Sequence, residues 1–145
     1  SATYVAIYDA DHHPHPRSLA LAIAHLEDEG VDCVQGSTYI REGCCLTRMM
    51  VHAEFFVTYF VLMPIMEAVS GSALFGGSNA VWRGTTFRQL HFDAQMLTED
   101  VDCFARAVLQ HNFKFAFLPE CRSGELLPAS LKAFWTQRLR WAMGW

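Results

Sequence analysis

Apolar and polar positions in this chain switch repeatedly between an extended and a helical period. Residues 3–8, Thr-Tyr-Val-Ala-Ile-Tyr, form a short run rich in β-branched and aromatic side chains and predict a buried strand. The run gives way to a polar cluster, Asp9-Ala10-Asp11-His12-His13, with Pro14 and Pro16 behind it, which ends the strand and opens a loop. Over 18–29 the pattern becomes helical: Leu19, Ile23 and Leu26 recur at helix spacing, Ala20, Ala22 and Ala24 favour the helix, and Gly30 stops it. Residues 31–35 predict a second strand. Strand, helix, strand in this order is the mark of a crossover unit in a parallel or mixed sheet.

A loop with Gly36 and Gly43 follows. Residues 46–69 then predict one long helix, or two with a kink near Pro64, whose aromatics Phe55, Phe56, Tyr59 and Phe60 are expected in the core. Residues 70–77 are small and flexible, 78–82 predict a short strand and 83–90 a short helix. A loop or helix start at 97–100 leads into a helix over 101–110 with Val101, Ala105 and Leu109 on one face. Residues 113–118 alternate as a strand expected to stop at Pro119. A last helix covers 130–145, with Leu131, Phe134, Trp135, Leu139 and Trp141 as its apolar members. No repeat or low-complexity tract interrupts this alternation, and the predicted class is α/β.

Composition narrows the picture. With 52% hydrophobic and 18% charged residues, the 145-residue chain has too much apolar surface and too little charge to stay disordered. A net charge of −4 argues against a nucleic-acid partner held by a broad basic face. The length suits one domain or part of one, and both ends read as cut, so 1–145 is expected to be a single partial domain. The most apolar stretch, 55–69, carries Pro64 and Glu67 and is flanked by His52 and Glu54. A buried or interfacial helix suits it better than a membrane span. The five cysteines (Cys33, Cys44, Cys45, Cys103, Cys121) include no CxxC pair and read as reduced thiols of a cytosolic compartment.

Four places offer chemistry. Asp9 and Asp11 stand where the first strand ends, and in open α/β sheets ligands collect outside the carboxyl ends of strands. Two carboxylates two residues apart there can face one hard cation such as Mg²⁺ or Mn²⁺, or can simply cap the next turn. His12, His13 and His15 are possible further ligands. In Thr98-Glu99-Asp100, Thr98 can cap a helix with the acids at its positive end, or a carboxylate can serve as general base to a hydroxyl. In Gln137-Arg138-Leu139-Arg140-Trp141, Gln137, Arg140 and Trp141 share a helix face. That face is either a solvated basic surface or an arginine for phosphate charge beside a flat platform for a sugar ring. Phe75-Gly76-Gly77-Ser78-Asn79 permits close backbone approach to a ligand, or makes only a turn.

Taken together, a strand ending in Asp-Ala-Asp-His, a Gly-Gly-Ser-Asn segment, Thr98-Glu99-Asp100 and the QxxRW run at 137–141 resemble the inverting family 2 glycosyltransferases of GT-A fold. The likeness extends from Tyr4 to Trp145 and is nearest to the processive membrane synthases of cellulose, chitin, hyaluronan and related β-glucans; Val34-Gln35-Gly36 also looks like a strand of those enzymes. The resemblance implies an incomplete GT-A-like mixed sheet flanked by helices, in the DxD to QxxRW part of the catalytic domain. It implies transfer of a sugar from a nucleotide-diphosphate donor, a UDP-sugar, to a growing β-linked polysaccharide. Asp11, assisted by Asp9, would hold Mg²⁺ or Mn²⁺ at the diphosphate, with His12 as an extra contact. Asp100 would be the general base and Glu99 would help position it. Phe75, Gly76, Gly77 and Ser78 would line the acceptor end, with a glycine where the cellulose-synthase form has cysteine. Gln137, Arg138 and Arg140 would contact diphosphate or acceptor, and Trp141 would stack under the terminal acceptor sugar.

The family's first strand–helix units, which help bind the nucleotide base, have no counterpart here, so the fragment alone is expected to be inactive. The parent protein is expected in a membrane with this domain on the cytoplasmic face, its oligomeric state open. Two other readings stand beside this one: a non-processive family 2 enzyme adding one sugar to a lipid or protein, and a non-catalytic metal-binding module.

Overall fold

The computed structural model describes residues 3–42, 46–93 and 95–144. Cys44, Cys45, Gly43 and Trp145 therefore lie outside the described residues. Five strands form one mixed sheet in the order β1-β4-β3-β5-β2: β1 Tyr4–Ile7, β2 His13–Pro14, β3 Cys33–Ile40, β4 Ala80–Arg83 and β5 Phe115–Glu125. The crossover from β1 through helix α1 (Ser18–Glu29) to β3 is present, and β4 is threaded antiparallel between the two. Since β3 and β5 are parallel, β1, β3 and β5 all run the same way and their carboxyl ends share one edge of the sheet.

Side-chain alternation sorts the core into two layers. Cys33, Trp82, Phe115 and Phe117 pack with Met63, Phe75, Cys103 and Ala107 on one face, while Val34, Val81 and Cys121 pack with Ala22 and Leu26 of α1 on the other. The predicted apolar stripes of two helices are shifted. In α1 the buried positions are Ser18, Ala22 and Leu26, and Leu19 is exposed. In α5 (Glu99–His111) the buried positions are Cys103 and Ala107, and Leu109 is 83% exposed. Small side chains win these places because they let the helix axes approach the sheet, and the larger neighbours Phe104 and Val108 pack from the flank.

Two strand boundaries are corrected. β3 does not end at Gln35 but runs on to Ile40, and β5 does not stop at Pro119 but continues to Glu125. The pairing jumps from Gly36↔Leu118 to Ser37↔Arg122, so Pro119, Glu120 and Cys121 bulge out of register. A bulge removes the demand on Pro119 for a ladder N–H, and its carbonyl accepts the Ser37 hydroxyl at 2.8 Å. Only glycine fits at position 36, because a Cβ there would lie 2.1 Å from the Cys121 carbonyl oxygen.

The long helix also departs from expectation. It runs unbroken over Leu46–Ser70, as α2 (Leu46–Val57), a π-helical turn Thr58–Leu62 and α3 (Met63–Ser70). The widened turn precedes Pro64 and accommodates its ring and missing N–H without a break. By length and composition the helix can cross a membrane, yet only 11% of its apolar window is buried. Tyr59 stacks on Phe117 of β5, but Phe56 and Phe60 stack on each other in the open, 61% and 55% exposed, so the aromatics do not all serve the core.

The short α4 (Gly84–Phe87) closes β4, and α6 (Leu131–Gly144) ends the described chain. The cysteines Cys33, Cys103 and Cys121 are buried and free. Burial pushes the Cys103 thiol up to about 11 and the Cys121 thiol up to about 12, which leaves them unreactive packing groups.

Candidate active site

The register Ile7↔Ala80 sets the end of β1 beside the segment that enters β4. There the backbone N–H of Asp9 donates to Ser78 Oγ at 2.9 Å, which ties the aspartate pair to the glycine loop. Neither the Asp9 nor the Asp11 carboxylate has a hydrogen-bond or ion-pair partner among the described residues, so neither acts as a cap. Both instead line a cleft of about 290 Å³ together with Glu125, Leu126, Leu127, Pro128, Ala133, Gln137 and Trp141. Residues more than a hundred positions apart in sequence thus form one wall, because α6 lies over the carboxyl edge of the sheet.

The glycine loop has a second duty. Gly77 adopts φ +83°, and a Cβ on it would lie 2.7 Å from Asp100 Oδ2 and 3.2 Å from Asp100 Cγ. The loop therefore runs from Ser78, bonded to Asp9, directly to the carboxylate of Asp100. Gly76 N–H donates to Gln35 Oε1 at 2.9 Å, and Gln35 Nε2 donates to the Ser78 carbonyl at 2.9 Å. Asn79, also in the left-handed region at φ 52°, donates from Nδ2 to the carbonyls of Ser37 at 2.8 Å and Cys121 at 3.0 Å. Gln35 and Asn79 are buried amides that make the loop's shape a property of the sheet. Their signal in the sequence is a fully inward polar residue within an apolar strand, which only burial makes visible.

Asp100 stands in the first turn of α5. Thr98 precedes it at the N-cap, but its hydroxyl does not cap; it donates to the Gly144 carbonyl at 2.6 Å and fastens the start of α5 to the end of α6. Partial burial holds the Asp100 carboxyl above the usual carboxylate range, against the pull of the backbone N–H groups of Val101 and Asp100. Glu99 pushes it further up and Arg140 pulls it down. A carboxyl raised by desolvation is a stronger base when ionised, as a proton acceptor needs. Glu99 is exposed and acts on Asp100 through charge, with no hydrogen bond between them among the described residues.

Other expected contacts are not in the cleft. Phe75 is 4% exposed and makes an edge contact with Trp82 at 5.1 Å, so it belongs to the core and does not line an acceptor path. Arg138 turns to the long helix, pairing with Glu54 at 2.7 Å and donating to Gln137 Oε1 at 2.6 Å. Its guanidinium also covers Trp141, 4.1 Å from the ring centroid. Arg138 therefore braces Gln137 and Trp141 rather than meeting a ligand directly. His12 is buried, with Nδ1 3.1 Å from Ser123 Oγ and Nε2 3.1 Å from Glu125 Oε2. Both ring nitrogens are engaged, so His12 serves as a strut between β5 and the aspartate turn. Ser130 N-caps α6, accepting the Ala133 N–H at 3.1 Å.

No group of three or more His, Cys, Asp or Glu among the described residues forms a closed metal cage. Asp9 and Asp11 do offer hard, unpartnered oxygens at an open cleft. That donor set suits Mg²⁺ or Mn²⁺, ions that keep part of their shell for ligand phosphates and water.

Comparison with known proteins adds a lineage to this geometry. Residues 4–145 match the family described as glycosyl transferase family group 2. The chain is 31% identical over 147 residues to glucomannan 4-β-mannosyltransferase 7 of Arabidopsis thaliana, covering 97% of this chain and 26% of that protein. It is 29% identical over 144 residues to glucomannan 4-β-mannosyltransferase 1 of Oryza sativa subsp. japonica, covering 97% of this chain and 27% of that protein. It thus spans about a quarter of the length of these curated relatives.

Proposed function

The chain belongs to glycosyl transferase family group 2, and on that premise we propose that it is the DxD to QxxRW part of a metal-dependent, inverting glycosyltransferase. The protein that carries it transfers a sugar from a nucleotide-diphosphate donor, a UDP-sugar, to a growing β-linked polysaccharide. The observation that carries this reading is the single cleft walled by Asp9, Asp11, Gln137 and Trp141, joined through Ser78 and Gly77 to Asp100. The relatives' named activity, 4-β-mannosyl transfer to glucomannan, supports a β-linked polysaccharide as the product class.

In this reading Asp11 and Asp9 hold Mg²⁺ or Mn²⁺, which when bound supplies positive charge at the donor diphosphate. Arg140 is exposed on α6 outside the lining of that cleft, near enough to Asp100 to lower its carboxyl, and would add positive charge on the Asp100 side of the site. Trp141, braced by Arg138, offers an apolar platform for the acceptor sugar, and Gln137 a hydrogen-bonding group beside it. The acceptor hydroxyl oxygen attacks the anomeric carbon as the bond to the diphosphate oxygen breaks. The bonding pair leaves with the nucleoside diphosphate, and the hydroxyl proton passes to Asp100. One such displacement inverts the anomeric centre, so an α-linked donor gives a β-linkage without a covalent enzyme intermediate. Positioning and electrostatics carry the rate.

The test is sugar transfer by the full-length protein and its Asp100→Asn variant. A loss of about 10²–10⁴-fold in kcat supports the base role. Unchanged transfer sinks it and favours a non-catalytic module. We read the parent protein as membrane-embedded with this domain on the cytoplasmic face. The open apolar side of Leu46–Ser70, with Phe56 and Phe60, supports the membrane contact. Release of the full-length protein from membranes by alkaline carbonate would overturn it.

A further inference from the structure

Glu125 was not among the residues the sequence motifs singled out, yet it is the third carboxylate of the cleft that Asp9 and Asp11 line. Its situation differs from theirs. Glu125 Oε2 lies 3.1 Å from His12 Nε2, and the far nitrogen of the same ring lies 3.1 Å from Ser123 Oγ. An ionised carboxylate only accepts hydrogen bonds, so His12 Nε2 donates to Glu125 Oε2 while Nδ1 meets the Ser123 hydroxyl. The ring is buried, with its side chain 3% exposed, while the Glu125 side chain remains 20% exposed. One carboxylate oxygen is therefore held in place and the other, Oε1, has no partner among the described residues and is free for a ligand.

We propose that Glu125, oriented by His12, binds hydroxyls of a sugar ring seated in the cleft beside Trp141. The argument rests on the glycosyltransferase reading above. Asp9 is exposed and Asp11 part-buried, and with no protein partner among the described residues their oxygens are open to a cation. Glu125 already has a hydrogen-bond donor and is suited to neutral donors such as sugar hydroxyls. The cleft supplies the rest of a sugar subsite: the Trp141 ring for the apolar face of the ring and the Gln137 amide for a further hydroxyl. The sugar in question belongs to the donor or to the acceptor, and the same chemistry serves both. A carboxylate that hydrogen-bonds a hydroxyl also rejects analogues lacking it, because its own acceptor is then left unpaired, and this makes Glu125 a specificity-determining residue.

The experiment compares full-length wild type with Glu125→Ala, Glu125→Gln and the His12→Asn/Glu125→Ala pair, with donor, acceptor and Mn²⁺ each varied in turn. Glu125→Ala is expected to raise the KM of one sugar substrate by about 10- to 100-fold, leaving half-saturation by Mn²⁺ unchanged. A rise for the donor places its sugar on Glu125, and a rise for the acceptor places the acceptor there. Glu125→Gln, isosteric and still able to accept, is expected to recover most of the loss, which separates the role from a folding defect. Adding His12→Asn to Glu125→Ala is expected to cost nothing further in KM, since His12 acts through Glu125. Unchanged KM for both substrates, or a shift in Mn²⁺ half-saturation in place of KM, overturns the proposal. If wild type transfers sugar and Glu125→Ala matches it, this inference alone falls. If Asp100→Asn proves silent while Glu125→Ala raises KM, the base assignment falls and Glu125 stands.

Discussion

Gly77 and Asp100 lie so close that no side chain fits between them: a Cβ on Gly77 would sit 2.7 Å from Asp100 Oδ2. The left-handed φ of +83° adds a second reason for glycine. Gly77→Ala is therefore expected to destabilise the fold by about 1–2 kcal/mol through its backbone alone and to push the Asp100 carboxylate out of place. Displacement of that kind lowers kcat by about 10²-fold. Gly76→Ala is the control, since a Cβ there meets nothing nearer than Gln35 Oε1 at 3.8 Å, and thermal melts with transfer assays on the two variants should separate cleanly.

Asp100 trades stability for chemistry. Burial raises its carboxyl in the folded protein, so the folded state holds the proton more tightly than the unfolded chain. This contribution favours folding at low pH and is lost as pH rises through the raised value, leaving an ionised, part-buried carboxylate at neutral pH. Asp100→Asn is expected to raise the neutral-pH Tm while lowering kcat by about 10²–10⁴-fold. A lowered Tm would contradict the desolvation argument.

The same shift sets the acid limb of the pH–rate profile. Activity should rise as Asp100 ionises, with its midpoint above that of an ordinary aspartate. Arg140 pulls the carboxyl down, so Arg140→Gln is expected to move the midpoint upward. A kcat/KM profile of both proteins reads it directly, and a downward move would show that Arg140 does not face Asp100.

Arg138 is expected to act through Glu54. The pair joins α6 to the long helix at 2.7 Å and is partly buried. A double-mutant cycle with Glu54→Gln and Arg138→Gln should show a coupling of about 1 kcal/mol in stability. Arg138→Gln should also lower acceptor binding by loosening Gln137 and Trp141. A change in donor KM that ignores Glu54 would instead assign Arg138 to the diphosphate.

Metal removal tests the aspartate pair. Chelation with EDTA should stop transfer, and Mn²⁺ or Mg²⁺ should restore it. Asp11→Asn should raise the metal concentration needed by about tenfold or more, because one of two hard ligands loses its charge. Full activity in EDTA would refute the role given to Asp9 and Asp11.

Much of the fold was legible along the chain, for reasons of periodicity. The β1–α1–β3 crossover follows from a strand-length apolar run, an alanine-rich helical run and a second apolar run, and Gly30 ends the helix in the left-handed conformation its position suggested. The motif strings marked Asp9, Asp11 and Asp100 as carboxylates at element ends, and Gln137 and Trp141 as an amide and an indole at helical spacing within α6. What periodicity could not convey is which neighbour a side chain meets. The bulge at Pro119 arises from the pairing of two strands, and the open face of Leu46–Ser70 from which side of that helix the sheet covers.

The sequence by itself determined the α/β class, the order of elements and the residue types of the candidate site, since each is written within a few consecutive positions. The tertiary structure decided the occupancy of that site. It turned Phe75 into the core, committed His12 to Ser123 and Glu125, and sent Arg138 to Glu54. It brought Glu125 into the cleft unannounced. For His12, Arg138 and Glu125 the deciding partner lies tens of residues away, and only the register of the sheet and the seating of α6 bring the two together.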